Sequence, residues 1–366
     1  MNKRLILTLA FLAIVIVSAG IAIFLAKGYT ISPTKGRIVG TGIISVASEP
    51  DSASVYIDGH LTTATNATIP SLSPKTYTIK VIKEGFIPWE RSVEVKEGLV
   101  SELKITLFPA IPTIYPLTFN GVLNPTLSPD GSKLSFIVTA GKKPGVWVWT
   151  MSKNQPISFA RSSEPHQIAS SQTADFSKAL LKWSPDSKQV LATVGTNNYL
   201  LNAENLNSDP RDITPTLTVT IKSWEDDVKV KEIARIDSIK DIKYRKIASD
   251  SASIAWAPDE TKFMTQSNKE TGSNTTKVYD LELLKEYTIP YAKSQLWLPD
   301  SKHIILADES TISVVDIDGT NKAVIYAGTF KDNFVFPWPD SSRLVIISSF
   351  PTPTASEPNL YGINLK

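Results

Sequence analysis

The chain has no cysteine, only three histidines in 366 residues, and almost no excess of charge, with 38 Lys and Arg against 36 Asp and Glu. Without cysteine there are no disulfides, no thiolate catalysis and no Cys-based zinc site. That suits an extracytoplasmic protein that does without disulfides. The balanced charge argues against nucleic acid as a partner, because a phosphate-binding surface needs a concentrated basic field. His60, His166 and His303 lie far apart, match no His-x-x-x-His spacing, and read as solvated surface residues. No Gly-x-Ser-x-Gly elbow exposes a serine nucleophile, and no Gly-rich loop cradles a phosphate. No catalytic, cofactor-binding or metal-ligating residue is assigned, and the chain reads as non-enzymatic and without a cofactor.

What the chain does contain is a repeated phrase. It appears as Leu127-Ser128-Pro129-Asp130, Trp183-Ser184-Pro185-Asp186, Trp256-Ala257-Pro258-Asp259 and Trp297-Leu298-Pro299-Asp300, with a worn copy at Pro337-Trp338-Pro339-Asp340. A basic residue follows each Asp (Lys133, Lys188, Lys262, Lys302, Arg343), and then an apolar run. Pro presets φ for the second position of a tight turn, and Asp bonds its own backbone there. Each phrase therefore reads as strand, turn, strand. The prolines stand 56, 73, 41 and 40 residues apart. The shorter intervals match the roughly 40–45 residues of a four-stranded propeller blade, so the longer ones require insertions or a degenerate blade. This predicts five or six blades. Closure of the ring requires a strand from Thr113 to Phe119 to complete the last blade, whose third strand is Tyr361 to Leu365.

The five recurring aspartates follow from the turn rather than from a catalytic pair. Asp316 and Asp318 with Gly319 supply too few oxygen ligands for calcium and read as a hairpin turn. Trp183, Trp256 and Trp297 are expected to pack between blades, whereas Trp338 stands one place out of register. Trp147 and Trp149 alternate with valines in a strand that is apolar on both faces. Trp89 and Trp224 are the aromatics available to face a sugar. Within the 73-residue interval, Ser223 followed by Asp226 resembles a helix start, and Ile233, Ile236, Ile239, Ile242 and Ile247 recur near helical spacing. An amphipathic helix over 224–248 is predicted, as a cover for a blade edge or as a partner-binding element.

Upstream, residues 1–4 carry Lys3 and Arg4, and residues 5–26 form an uncharged apolar run. About 20 apolar residues cross the hydrocarbon layer, so 5–26 is predicted to be a transmembrane helix behind a cytoplasmic tail. A cleaved signal peptide, with Val17-Ser18-Ala19 as its cleavage site, is the competing reading. Residues 27–41 read as a Gly/Pro/Ser/Thr tether. Residues 42–108 alternate at a period of two, with Asp58-Gly59 as a two-residue hairpin turn. The prolines Pro109, Pro112 and Pro116 make a stiff connector, and the second domain is expected over 109–366.

Two resemblances sharpen this outline. Gly42, Ser45-Val46, Pro50, Ala53, Val55-Tyr56-Ile57-Asp58-Gly59, Leu72, Tyr77, Val81, Lys83-Glu84-Gly85-Phe86 and Pro88-Trp89 resemble the PEGA domain family. That family implies a surface-associated, β-sandwich-like fold with no catalytic residues to carry over. Ser52 and Lys75 depart from it at turn glycines. The region from Thr113 to Lys366 resembles TolB-like propellers, through Pro129-Asp130-Gly131 and Val314-Val315-Asp316-Ile317-Asp318-Gly319. Later copies place Ser187, Glu260, Ser301 and Ser341 at the Gly position.

The expected architecture is therefore all-β: a small PEGA-like β-sandwich, then a TolB-like β-propeller with one helical insertion, behind a transmembrane helix. The expected role is a membrane-anchored, extracytoplasmic scaffold or binding protein. It would engage another cell-envelope protein or a cell-wall glycan. The alternative is a glycan-active enzyme whose dispersed carboxylates meet in the propeller channel. A sensor relaying inward has almost no cytoplasmic chain to signal with.

Overall fold

A computed structural model describes residues 3–26, 29–31, 38–151, 164–268, 274–331, 334–349 and 358–366. It divides into two compact units, Met1–Ile111 with Lys366, and Pro112–Leu365.

In the first unit, helix α1 (Lys3–Ala26) covers the apolar run. Its side chains are described over residues 8–22 and are all exposed. Among the described residues no helix is long and apolar enough to cross a membrane. The first two residues of the expected tail lie outside the described residues. The tether is not structureless throughout: Tyr29–Ile31 pairs antiparallel with Ile38–Gly40. The β-branched and aromatic residues at these positions favour pairing over a random coil. Residues 27–28 and 32–37 of the expected tether lie outside the described residues.

The sandwich follows from alternation. One sheet runs Ala67–Leu72, Gly42–Glu49, Val100–Thr106, and the other His60–Ala64, Ser54–Ile57, Thr76–Ile82, Trp89–Glu94. Every second residue turns inward, so Ile44, Val46, Val55, Ile79, Val81 and Trp89 fill one core. Burial of each Val or Ile contributes about 1.5–3 kcal/mol. Asp58 and Gly59 take φ of 48° and 83°, as the predicted two-residue hairpin requires. Ser52 keeps the left-handed conformation (φ 57°) of the glycine it replaces. Lys75 instead pairs with Asp58 at 2.8 Å, tying its loop to the hairpin.

Among its described residues the second unit holds five four-stranded antiparallel sheets, which make five blades. Blade 1 comprises Leu123–Leu127, Lys133–Val138, Gly145–Thr150 and His166–Ser170, and blade 2 comprises Leu180–Trp183, Gln189–Val194, Asn197–Asn202 and Arg211–Asp212. Blade 3 runs Ile254–Trp256, Lys262–Asn268, Asn274–Asp280, Lys285–Ile289, and blade 4 runs Ser294–Trp297, His303–Ala307, Thr311–Asp316, Ala323–Ala327. Blade 5 takes Val335–Pro337, Arg343–Ser348 and Asn359–Asn364 from the end of the chain, and its outer strand is Ile114–Pro116. The predicted closure is present, with Ile114 opposite Ile363 and Pro116 opposite Tyr361. Pro116 suits an edge strand because it has no N–H to leave unpaired.

The insertion between blades 2 and 3 differs from the expected single helix. Helix α2 spans Leu217–Ser238 and helix α3 spans Ile242–Asp250. Ser223 is therefore no cap, and Asp226 lies inside α2 rather than in its first turn. The break falls at Ile239, extended at φ −66° and ψ 117°, and Asp241 caps α3 by accepting from the Tyr244 N–H. The predicted amphipathic face is absent over most of α2, which buries no residue. Only the end near Ile236 and Ile239, with Tyr244 and Ala248 of α3, packs on Phe263 and Tyr279 of blade 3.

Candidate functional site

The repeated phrase builds five copies of one turn, and these copies shape the candidate site. In every copy the residue after Asp closes a turn onto the carbonyl three residues earlier: Gly131 to Ser128, Ser187 to Ser184, Glu260 to Ala257, Ser301 to Leu298 and Ser341 to Trp338. That residue is left-handed each time, with φ of 69°, 59°, 59°, 58° and 58°. Each Asp Oδ1 accepts the N–H two residues on, at 2.8–3.1 Å. The aspartates are thus structural, as the recurrence implied. Burial raises the Asp130 carboxyl, but hydrogen bonds from Ser128 and Ser132 outweigh it and hold it below the ordinary range. At Asp186 the Ser184 hydroxyl does the same.

In two of the later copies the serine at the glycine position links blades. Ser187 Oγ accepts from the Asp130 N–H of blade 1 at 3.2 Å, and Ser301 Oγ accepts from the Asp259 N–H of blade 3 at 3.0 Å. Tryptophan forms the second link. Trp183 Nε1 donates to the Thr126 carbonyl and Trp297 Nε1 donates to the Ala255 carbonyl, both at 2.8 Å. Trp256 has no such blade partner; its Nε1 donates to Glu232 of α2 at 2.9 Å. Trp338, one place out of register, is buried against Trp149 between blades 5 and 1.

The first strands and turns of blades 1, 3, 4 and 5 line one cavity of about 660 Å³ together with α2. A cavity reached by four blades at once lies on the ring axis, at the turn end of the channel. Pro129, Pro258, Pro299 and Pro339 ring it, and Trp256, Trp297, Leu296 and Phe336 supply apolar wall. Its carboxylates are engaged: Glu232 with Trp256, Glu260 with Arg235 at 2.8 Å, and Asp130 within its turn. This arrangement can hold an apolar, proline-compatible or ring-faced ligand. Each carboxylate already has a structural partner, so the surface offers shape and desolvation. Among the described residues no group of three His, Asp or Glu side chains stands ready for a metal ion.

His303 departs from expectation. His60 is exposed and His166 half-buried, its Nε2 3.1 Å from the Ala203 carbonyl, but His303 is 4% exposed. Its Nδ1 lies 2.6 Å from Asp300 and its Nε2 lies 3.2 Å from Asp316. Burial alone would lower its pKa; the two carboxylates outweigh burial and push it up to about 9. The doubly protonated ring donates to both. Asp300, raised by burial, is drawn below its usual range by the same contact. The signal was register: counted from each Asp, the third residue is Lys133, Gln189, Lys262, His303 or Arg343. His303 takes the place of a cation at the start of a blade's second strand, while Lys302 beside it is exposed. Asp318 accepts from Thr320, and Gly319 is left-handed at φ 79°, so the expected hairpin forms there. Of the aromatics suggested for sugar, Trp89 is buried in the sandwich core and Trp224 is half-buried on α2.

Comparison with known proteins places residues 41–111 in the PEGA domain family, whose model matches that segment. No curated protein matches the chain. Among solved structures, the chain is similar to a putative TolB from Agrobacterium tumefaciens, at 15% identity over 64% of this chain and 76% of that one, with a TM-score of 0.25. It is also similar to TolB from Acinetobacter baumannii, at 14% identity over 79% of this chain, with a TM-score of 0.25, and spans 60% of that protein's length. The propeller assignment stands on the five sheets and their closure.

Proposed function

We propose that the chain is a membrane-anchored, extracytoplasmic binding protein of the cell envelope. The uncharged apolar run 5–26, read from the sequence, serves as the anchor, with the N-terminus in the cytoplasm, and the propeller binds another envelope protein or a cell-wall glycan. The observation that carries this reading is the cavity of about 660 Å³ at the channel mouth, ringed by four turn prolines and walled by Trp256, Trp297 and Phe336. Its size falls in the range of ligand sites, and its concave lining combines apolar side chains with an almost equal share of polar surface. The anchor rests on the 22 uncharged residues from 5 to 26 behind Lys3 and Arg4. The PEGA match over 41–111 supports placement at the envelope.

Capture tests it. The full chain, immobilised in detergent, is exposed to envelope extract and separately to purified cell-wall glycan, beside a Leu296→Arg variant that puts a charge on the channel wall. The reading expects one of the two to be retained by the wild type and lost by the variant at unchanged melting temperature. Equal capture by both chains removes the channel mouth as the site. Protease protection in membrane vesicles tests the topology: a propeller cleaved from the cytoplasmic side contradicts it.

A further inference from the structure

A second cavity, of about 760 Å³, opens on blade 1 away from the channel mouth, beside the closing strand. Its floor is Phe136, buried in the core between blades 5 and 1, and the half-buried Trp147. One wall is the 117–121 segment, which carries the exposed ring of Phe119. The lip carries Lys142 and Lys143, with Glu164 also lining the cavity.

Both walls are fixed without a ligand. Asn359 accepts from Thr118 Oγ1 at 3.1 Å and from the Gly121 N–H at 3.0 Å. Leu117 N–H donates to the Leu360 carbonyl at 2.8 Å, and Leu360 N–H donates to Thr118 Oγ1 at 2.9 Å. On the other side, Trp147 Nε1 donates to the Lys143 carbonyl at 3.1 Å and Gln167 Nε2 to the Pro144 carbonyl at 2.9 Å. The ring of Trp147 and the loop bearing both lysines are therefore held in one arrangement. A preformed pocket saves the ordering cost that weakens binding. The volume lies within the roughly 300–1,000 Å³ of small-molecule sites, and an apolar interior with few convergent polar groups is their usual chemistry.

Charge selects the ligand class. Two lysines and one glutamate are among the lining residues, and among the described residues neither Lys142 nor Lys143 is paired with an acidic side chain. Phe119 and Trp147 offer ring faces for offset or edge contacts with another ring. We infer that this cavity is a binding site for a small aromatic carboxylate, its ring against Trp147 and Phe119 and its anion at Lys142 and Lys143. The site is separate from the channel mouth and does not depend on the function proposed there.

Titration calorimetry of the full chain in lipid nanodiscs, blanked against empty nanodiscs, tests this with 2-naphthoate as the probe. One saturable site per chain is expected, with 2-naphthylmethylamine, the same ring with the opposite charge, binding at least tenfold more weakly. The Lys142→Glu/Lys143→Glu variant should weaken 2-naphthoate at least tenfold. Ala140→Trp, which fills the pocket from an exposed position, should abolish binding, with the melting temperature unchanged in both variants. No saturable binding, equal binding of the amine, or 2-naphthoate affinity unchanged in either variant overturns the assignment.

Discussion

The seams between blades 1 and 2 and between blades 3 and 4 are made of the same parts, and the seam between blades 2 and 3 is not. In the first two, a tryptophan N–H crosses to a first-strand carbonyl and a turn serine accepts the N–H of the preceding blade's aspartate. At the third, the tryptophan bonds Glu232 and the turn residue is Glu260, which pairs with Arg235. Both replacements reach α2. The insertion within the 73-residue interval therefore supplies, from α2, the partners that the neighbouring blade supplies at the other two seams. A repeat can lose its partner and keep its fold when an insertion supplies groups of matching polarity.

The ring as a whole depends on closure, and removing it should have the largest effect. Deleting residues 109–119 takes away the outer strand of blade 5 and the bonds to Asn359 and Leu360. The melting temperature should fall by about 10 °C or more, and an unchanged transition would count against closure.

A smaller but still large loss is expected inside blade 4. His303→Ala leaves Asp300 and the buried Asp316 without their shared cation, at a cost of about 3–5 kcal/mol. Lys262, its counterpart in blade 3, faces a more exposed Asp259 at 3.6 Å, so Lys262→Ala should cost less. The pH dependence has a definite sign. A His raised from 6.5 to about 9 stabilises fully below about pH 6.5, and that contribution disappears as pH rises through about 9. Asp300, lowered from 3.8, contributes above about pH 3.8 and loses its contribution as pH falls through its folded value. Thermal melts from pH 5 to 10 should show the wild type losing stability above pH 7 relative to His303→Ala. Parallel curves would refute the ion triad.

The seams themselves should differ by less. Trp183→Phe removes a partly buried bond to a backbone carbonyl and should cost about 1 kcal/mol beyond the change in packing. Trp256→Phe should show coupling to Glu232→Gln in a double-mutant cycle, and Trp183→Phe should show none. Equal coupling would erase the distinction between the seams. Smallest of all, Arg235→Ala should shift stability by about 0.5 kcal/mol or less, because the pair with Glu260 is half-exposed and screened.

The turns were the most legible part of the sequence. Pro and Asp fix a local conformation by themselves, so the repeated blade corners and the Asp58-Gly59 hairpin follow from short-range chemistry, whereas the count stayed at five or six blades and the closing strand followed only from the need to close a ring. The start of α2 was hidden because Leu217-Thr218-Val219-Thr220-Ile221 alternates like a strand, with β-branched residues that disfavour helix. The burial of His303 was missed because neighbouring Lys302 satisfied the search for a basic residue. The tryptophan and serine crossings, the channel mouth and the cavity on blade 1 join residues 42 to more than 200 positions apart. No local pattern encodes such distances.

Closure of the ring is tested most directly by a cross-link. Ile114→Cys with Ile363→Cys places the chain's only two thiols directly opposite each other on adjacent strands. Oxidation of the full chain should yield an intramolecular disulfide, visible as a mobility shift reversed by reductant, and should raise the melting temperature. A double variant that stays reduced under conditions that oxidise exposed thiols would contradict a propeller closed by its own first strand.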